Sequence, residues 1–115
     1  MANTHKDVVY RAMAIVSLRA ADEEPSADDF EFAMKDFLAL REFLGNEMKI
    51  RWADNDIADS RFADIAGMLA GRLVLSFPVG DKARMRGLEA ESIGERNLKR
   101  VRASRSRRNV AVPVV

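Results

Sequence analysis

The chain has 115 residues, no cysteine, 48% hydrophobic residues and a formal net charge of +1. Such a length permits one domain that buries roughly two-thirds of its unfolded surface, while the lack of cysteine excludes disulfides, thiolate metal sites and a cysteine nucleophile. The small net charge conceals a division: residues 1 to 64 carry eight basic against fourteen acidic side chains, and residues 65 to 115 carry eleven against four.

Alanine, leucine, arginine and glutamate are common and proline is confined to positions 25, 78 and 113, a composition that favours helix. The opening Met1-Ala-Asn-Thr-His-Lys6 has no apolar run behind its basic residue, and the longest apolar stretch, 65 to 79, is broken by Arg72. Neither an export signal nor a membrane span is expected, and a soluble intracellular protein is.

Thr4 with Asp7 three residues later forms a variant capping box, and Val8, Ala12, Ile15 and Val16 follow at helical spacing. The first helix is predicted over about 5 to 20. Pro25 disfavours helical backbone at Glu24 and leaves Ser26 to cap the second helix, with Asp28 and Asp29 at its positive end. Phe30, Ala33, Met34, Phe37, Leu38, Leu40 and Leu44 give that helix a wide apolar stripe up to Gly45, the expected left-handed C-terminal cap.

Residues 46 to 60 lack a sustained period and read as a packed loop with a short extended piece. A third helix is predicted from about Arg61 to Phe77, its face formed by Phe62, Ile65, Ala66, Leu69, Ala70 and Leu73. Asp81 is placed to cap a fourth, on which Met85, Leu88, Ser92 and Ile93 make a thin stripe that Leu98 and Val101 continue loosely. This helix is expected to be long, partly exposed and frayed beyond Ala103. The resulting fold class is all-α, a small bundle of about four helices over residues 1 to 103 with an extended C-terminal arm over 104 to 115.

Little of this points to catalysis. His5, the one histidine, is expected as a solvated helix-end residue, and no nucleophile and base pair can be nominated. Asp54, Asp56 and Asp59 lack the central glycine and terminal glutamate of an EF-hand and read as a solvated or capping cluster. The pairs Ala66-Gly67 and Ala70-Gly71, one turn apart, invite close approach of another helix within the chain. No phosphate loop, nucleotide fingerprint or zinc spacing occurs, so no catalytic, metal or cofactor site is assigned.

The segment containing Arg96, Lys99, Arg100, Arg102, Arg105, Arg107 and Arg108 is the main functional candidate. It suits contact with phosphates, a solvated helix end, or bidentate pairing with carboxylates of a neighbouring copy or partner. It has no interleaved aromatics for stacking on single strands. Asn109 and Val110-Ala-Val-Pro-Val-Val115 follow, where four valines and Pro113 favour extended backbone. Two readings stay open for Val110, Val112, Pro113, Val114 and Val115: a disordered terminus, or a strand added to a partner.

Taken in order, Val8-Val-Tyr-Arg-Ala-Met-Ala-Ile15, then Glu23-Glu-Pro-Ser-Ala-Asp-Asp-Phe-Glu-Phe-Ala-Met-Lys-Asp-Phe-Leu-Ala-Leu40, and then Phe62-Ala-Asp-Ile-Ala-Gly-Met-Leu-Ala-Gly-Arg-Leu73, the chain resembles the head-to-tail adaptor proteins of tailed bacteriophages over residues 5 to 103. These are also called packaged-DNA stabilisation, head-completion or tail-accessory proteins. The resemblance implies a virion structural protein, made in the host cytoplasm, that forms a ring of about twelve copies beneath the portal protein. That ring extends the channel for packaged DNA and offers a docking surface to tail or neck proteins. It also implies that the arm from Arg105 to Val115 reaches the portal, with Arg96, Lys99, Arg100 and Arg102 meeting a neighbouring subunit or DNA. The alternative is a small DNA-binding or regulatory protein that uses the Arg-rich segment.

Overall fold

The computed structural model describes residues 3–19, 23–53 and 55–110, the last ten as backbone. Four helices make up the fold: α1, His5–Ile15; α2, Ala27–Asn46; α3, Asp59–Ser76; and α4, Asp81–Val110.

Two of the three predicted N-terminal caps form, at Thr4 and Ser26. Thr4 Oγ1 accepts from Asp7 N–H at 3.2 Å while Asp7 Oδ2 accepts from Thr4 N–H at 2.9 Å, which closes the capping box. Ser26 Oγ accepts from Asp29 N–H at 3.2 Å. The helix ends depart from expectation. α1 stops at Ile15 because Ser17 is left-handed, with φ 61°. Leu18 N–H then returns to Met13 O at 2.8 Å and Ser17 N–H to Ala14 O at 3.2 Å, a Schellman closure built on serine where glycine is usual. The left-handed turn on an L residue costs about 1–2 kcal/mol. Arg86 of α4 offsets that cost from outside: its Nε donates to Ile15 O at 3.1 Å and its Nη2 to Ser17 Oγ at 2.5 Å, placing a cation at the negative end of α1.

At the far end of α2, Gly45 is buried within the helix and does not cap it. The left-handed residue is Lys49, with φ 58°, after which Ile50 N–H closes on Leu44 O at 2.8 Å. The segment from 47 to 58 is packed, as expected, with Met48, Ile50 and Ile57 buried. A single bridge between Asn3 and Ile57 ties it to the chain's first described residue. At the start of α4, Arg84 N–H donates to Gly80 O at 2.9 Å, so Gly80 occupies the capping position and Asp81 is the first helical residue. Asp81 therefore contributes through its charge at the positive helix end.

The core gathers Val8, Val9, Ala12 and Met13 of α1, Phe37, Leu40 and Leu44 of α2, and Ile65, Leu69 and Leu73 of α3, all fully buried. α3 packs against every other helix. α1 and α2 lie on one of its faces, and α4 runs antiparallel along another, whereas α2 and α4 do not touch. The α3–α4 seam is closed by glycine from both sides. A Cβ on Gly67 would lie 2.6 Å from Ala90 O, one on Gly87 would lie 2.6 Å from Val74 Cγ1, and one on Gly94 would collide with Asp64 O. The small-residue pairs therefore serve intramolecular packing, as their spacing predicts.

Candidate functional site

α4 leaves the body of the protein near Leu98, which is fully buried, while Asn97 Nδ2 beside it donates to Asp64 Oδ1 of α3 at 3.0 Å. The antiparallel register that sets Gly94 against Asp64 and Gly87 against Val74 brings the start of α3, Asp59, opposite about Lys99. Beyond that point α4 continues for some three turns, about 16 Å, past the end of α3. Fraying and an extended arm were expected from residue 104, but the backbone is helical through Val110. The division at 103/104 therefore falls inside a helix. Serine, asparagine and arginine there do not oppose helix strongly, and helix once nucleated by a packed segment extends cheaply.

Arg96, Lys99 and Arg100 are exposed on α4 and, with Ser92 and Glu95, border a shallow depression of about 470 Å³. Lys99 Nζ pairs with Glu95 at 3.1 Å one turn earlier, a surface pair that leaves both groups hydrated. Arg102, Arg105, Arg107, Arg108, Asn109 and Val110 follow on the same helical backbone. Val112, Pro113, Val114 and Val115 lie outside the described residues. The structure thus places the Arg-rich positions on one projecting helix.

Charge is partitioned by helix. α2 carries five acidic against two basic residues and α4 ten basic against four acidic, and the two helices lie apart with α3 packed against both. Surfaces of opposite charge on helices that do not pack together suit contacts with something outside the chain.

One carboxyl sits in the seam. Burial against the Gly71 segment raises Glu91 above the ordinary glutamate value; Arg72 opposes the rise and Glu95 adds to it. A carboxyl raised on folding holds its proton more tightly in the native state, so its contribution is full below the unfolded value and lost as pH rises through the folded one. Glu91→Gln is therefore expected to be slightly more stable than the parent at pH 7. The group is half-exposed, so the gain stays below about 0.5 kcal/mol. Thermal melts should show the difference disappearing below the normal glutamate range.

Sequence reasoning missed two clusters. His5 is half-buried and not a solvated end residue: Trp52 Nε1 donates to its Nε2 at 2.9 Å, and its ring lies 4.8 Å from that of buried Phe37. His5 N–H also donates to Asn55 Oδ1 at 3.0 Å, so the first turn of α1 grips the loop after α2. These contacts hold the first turn of α1 against α2 and its following loop. The second cluster is the Arg86 cap on α1, whose partners lie about 70 residues away and leave no local signal.

Of the three loop aspartates, Asp54 lies outside the described residues, Asp56 is exposed, and Asp59 Oδ1 in the first turn of α3 accepts from Asn3 Nδ2 at 2.6 Å. Among the described residues no three His, Cys, Asp or Glu side chains converge on a point where a metal could sit, and no helix is long and apolar enough to cross a membrane. No family model, curated protein or solved structure matches the chain, so the arrangement of its own residues carries the functional argument.

Proposed function

We propose that this chain is a non-enzymatic head-to-tail adaptor of a tailed bacteriophage, a ring-forming neck protein that binds beneath the portal, extends the DNA channel and receives the tail. The observation that carries the reading is the projecting α4: a basic helix that runs past the end of α3 and leads into the valine-rich segment beginning at Val110. A helix of that kind has no core of its own to complete and suits insertion into a partner. The separation of acidic α2 from basic α4 supports assembly of copies through unlike surfaces, the arrangement a ring requires. Partners on this reading are the portal protein, tail or neck proteins, other copies of the chain and the DNA that passes through.

A DNA-binding role is the second reading, favoured by the exposure of Arg96, Lys99 and Arg100 on one helix. The two separate by substitution. Deleting Val110 to Val115 is expected to abolish portal binding, and replacing Arg105, Arg107 and Arg108 by glutamine to leave any DNA affinity and its salt dependence nearly unchanged. Portal binding that survives the deletion, together with a DNA affinity that falls with each arginine removed, would favour the second reading.

A further inference from the structure

We infer that copies of this chain bind one another through the outer face of α4 on one copy and the outer face of α2 on the next. Leu38 of α2 is 47% exposed, and Met85 and Leu88 of α4 are 70% and 41% exposed. These three residues belong to two solvent-facing stripes at helical spacing. On α4 the stripe is Met85, Leu88, Ser92, Arg96 and Lys99; on α2 it is Asp28, Glu31, Lys35, Leu38 and Glu42, every member exposed.

Laid antiparallel, the two stripes match along their length. Lys99 comes opposite Asp28, Arg96 opposite Glu31, Ser92 opposite Lys35 and Leu88 opposite Leu38. Met85 then falls beside Glu42, at the rim of a groove of about 450 Å³ that Leu38, Glu42 and Trp52 help to line. Steps of three and four residues recur in both stripes, so the facing pairs stay aligned over four turns. Leu88 meets Leu38, Lys99 and Arg96 meet carboxylates, Lys35 faces the neutral Ser92, and no like charges are opposed. A second copy is the occupant that fits, because the α2 stripe offers the charges that the α4 stripe lacks, and α2 and α4 of a single chain do not touch. The contact joins unlike faces, so each copy keeps one free α2 and one free α4, and the assembly grows until it closes. Its small area and exposed charges make it weak in salt, consistent with a protein that completes its ring on a template.

The inference concerns free protein and does not depend on the portal, so its failure is distinguishable from failure of the adaptor reading. The experiment is sedimentation equilibrium of the full chain at low and high salt, with two variants: Asp28→Lys with Glu31→Lys, and Arg96→Glu with Lys99→Glu. Wild type should associate with rising concentration at low salt and dissociate at high salt. Each variant alone opposes like charges and should associate at least ~10-fold more weakly. An equal mixture should regain association, since the basic α2 of one variant faces the acidic α4 of the other while their unaltered faces still match. Because recovery on mixing requires both variants to be folded, it is its own control. Wild type that stays monomeric at low salt, a variant that associates like wild type, or a mixture that fails to recover would each overturn the inference.

Discussion

Alanine in place of Gly67 or Gly94 is expected to destabilise the protein by about 2 kcal/mol, although alanine is the better helix former by about 1 kcal/mol. The sign is decided by what the new methyl group meets. At Gly67 it would lie 2.6 Å from Ala90 O and 3.2 Å from the carbonyl carbon; at Gly94 it would collide with Asp64 O. Both neighbours are helix backbone and cannot rotate away, so α3 and α4 must separate, and the apolar contacts along the seam are lost with them. Gly45→Ala provides the opposite case within the same protein. There the nearest atoms belong to the Arg51 side chain, 3.4 Å away and able to move, so the substitution should stabilise by up to about 1 kcal/mol. Urea unfolding with an unchanged slope reads all three. A gain in stability at Gly67 or Gly94 would contradict the seam as described.

Leu98→Ala is expected to cost about 3 kcal/mol, the range for a fully buried leucine whose site cannot collapse onto the cavity. Its effect should also be local. Leu98 is buried beside the Asn97–Asp64 hydrogen bond that ties α4 to the start of α3, just before the exposed Lys99 and Arg100. Loosening them should raise amide exchange through the first turns of α3 and the adjoining turns of α4, well before exchange rises in the α1–α2 core. Arg96→Ala and Lys99→Ala, on the exposed face of the same helix, should each change stability by less than about 0.5 kcal/mol. A neutral Leu98→Ala would mean that α4 does not leave the body at this point.

The starts of α1 and α2 were legible because their causes are local, whereas α3 begins at Asp59 with no side-chain cap and Gly80, not Asp81, caps α4. Thr4 with Asp7 and Ser26 after Pro25 are short-range devices, and each appears where its spacing puts it. The ends were not. Ser17 adopts a left-handed turn with its strain relieved by Arg86, a partner that no window around Ser17 contains. Gly45 fits the rule for a cap, yet it lies inside α2 where Arg51 crosses it, and Lys49 makes the turn instead. His5 looked solvated because its neighbours in sequence are polar, whereas Trp52 and Phe37 reach it from α2 and the loop that follows. The glycines at 67 and 71 announced a close contact, but the helix they meet became apparent only with Ala90 and Glu91 of α4 against them.

The charge division along the chain was legible from composition alone. Charge along the chain showed that the halves differ, and the basic run identified Arg96 to Arg108 as the segment to examine. Periodicity could not show that α2 and α4 each pack on α3 and not on one another. Composition likewise favoured an arm from residue 104, because serine and arginine bury nothing there. The continuation of α4 to Val110 depends on its being nucleated against α3 rather than on its own sequence.

The central claim, that the projecting C-terminal part of α4 and the segment after it anchor an adaptor to a portal, is tested most directly by sedimenting the protein with the portal protein from the same genome, as the full chain and as a version ending at Ala103. The account predicts that the full chain comigrates in several copies per portal and that the shortened chain, still folded because Leu98 and the α3–α4 seam are intact, does not. Failure of the full chain to comigrate, or equal binding by the shortened one, would contradict it.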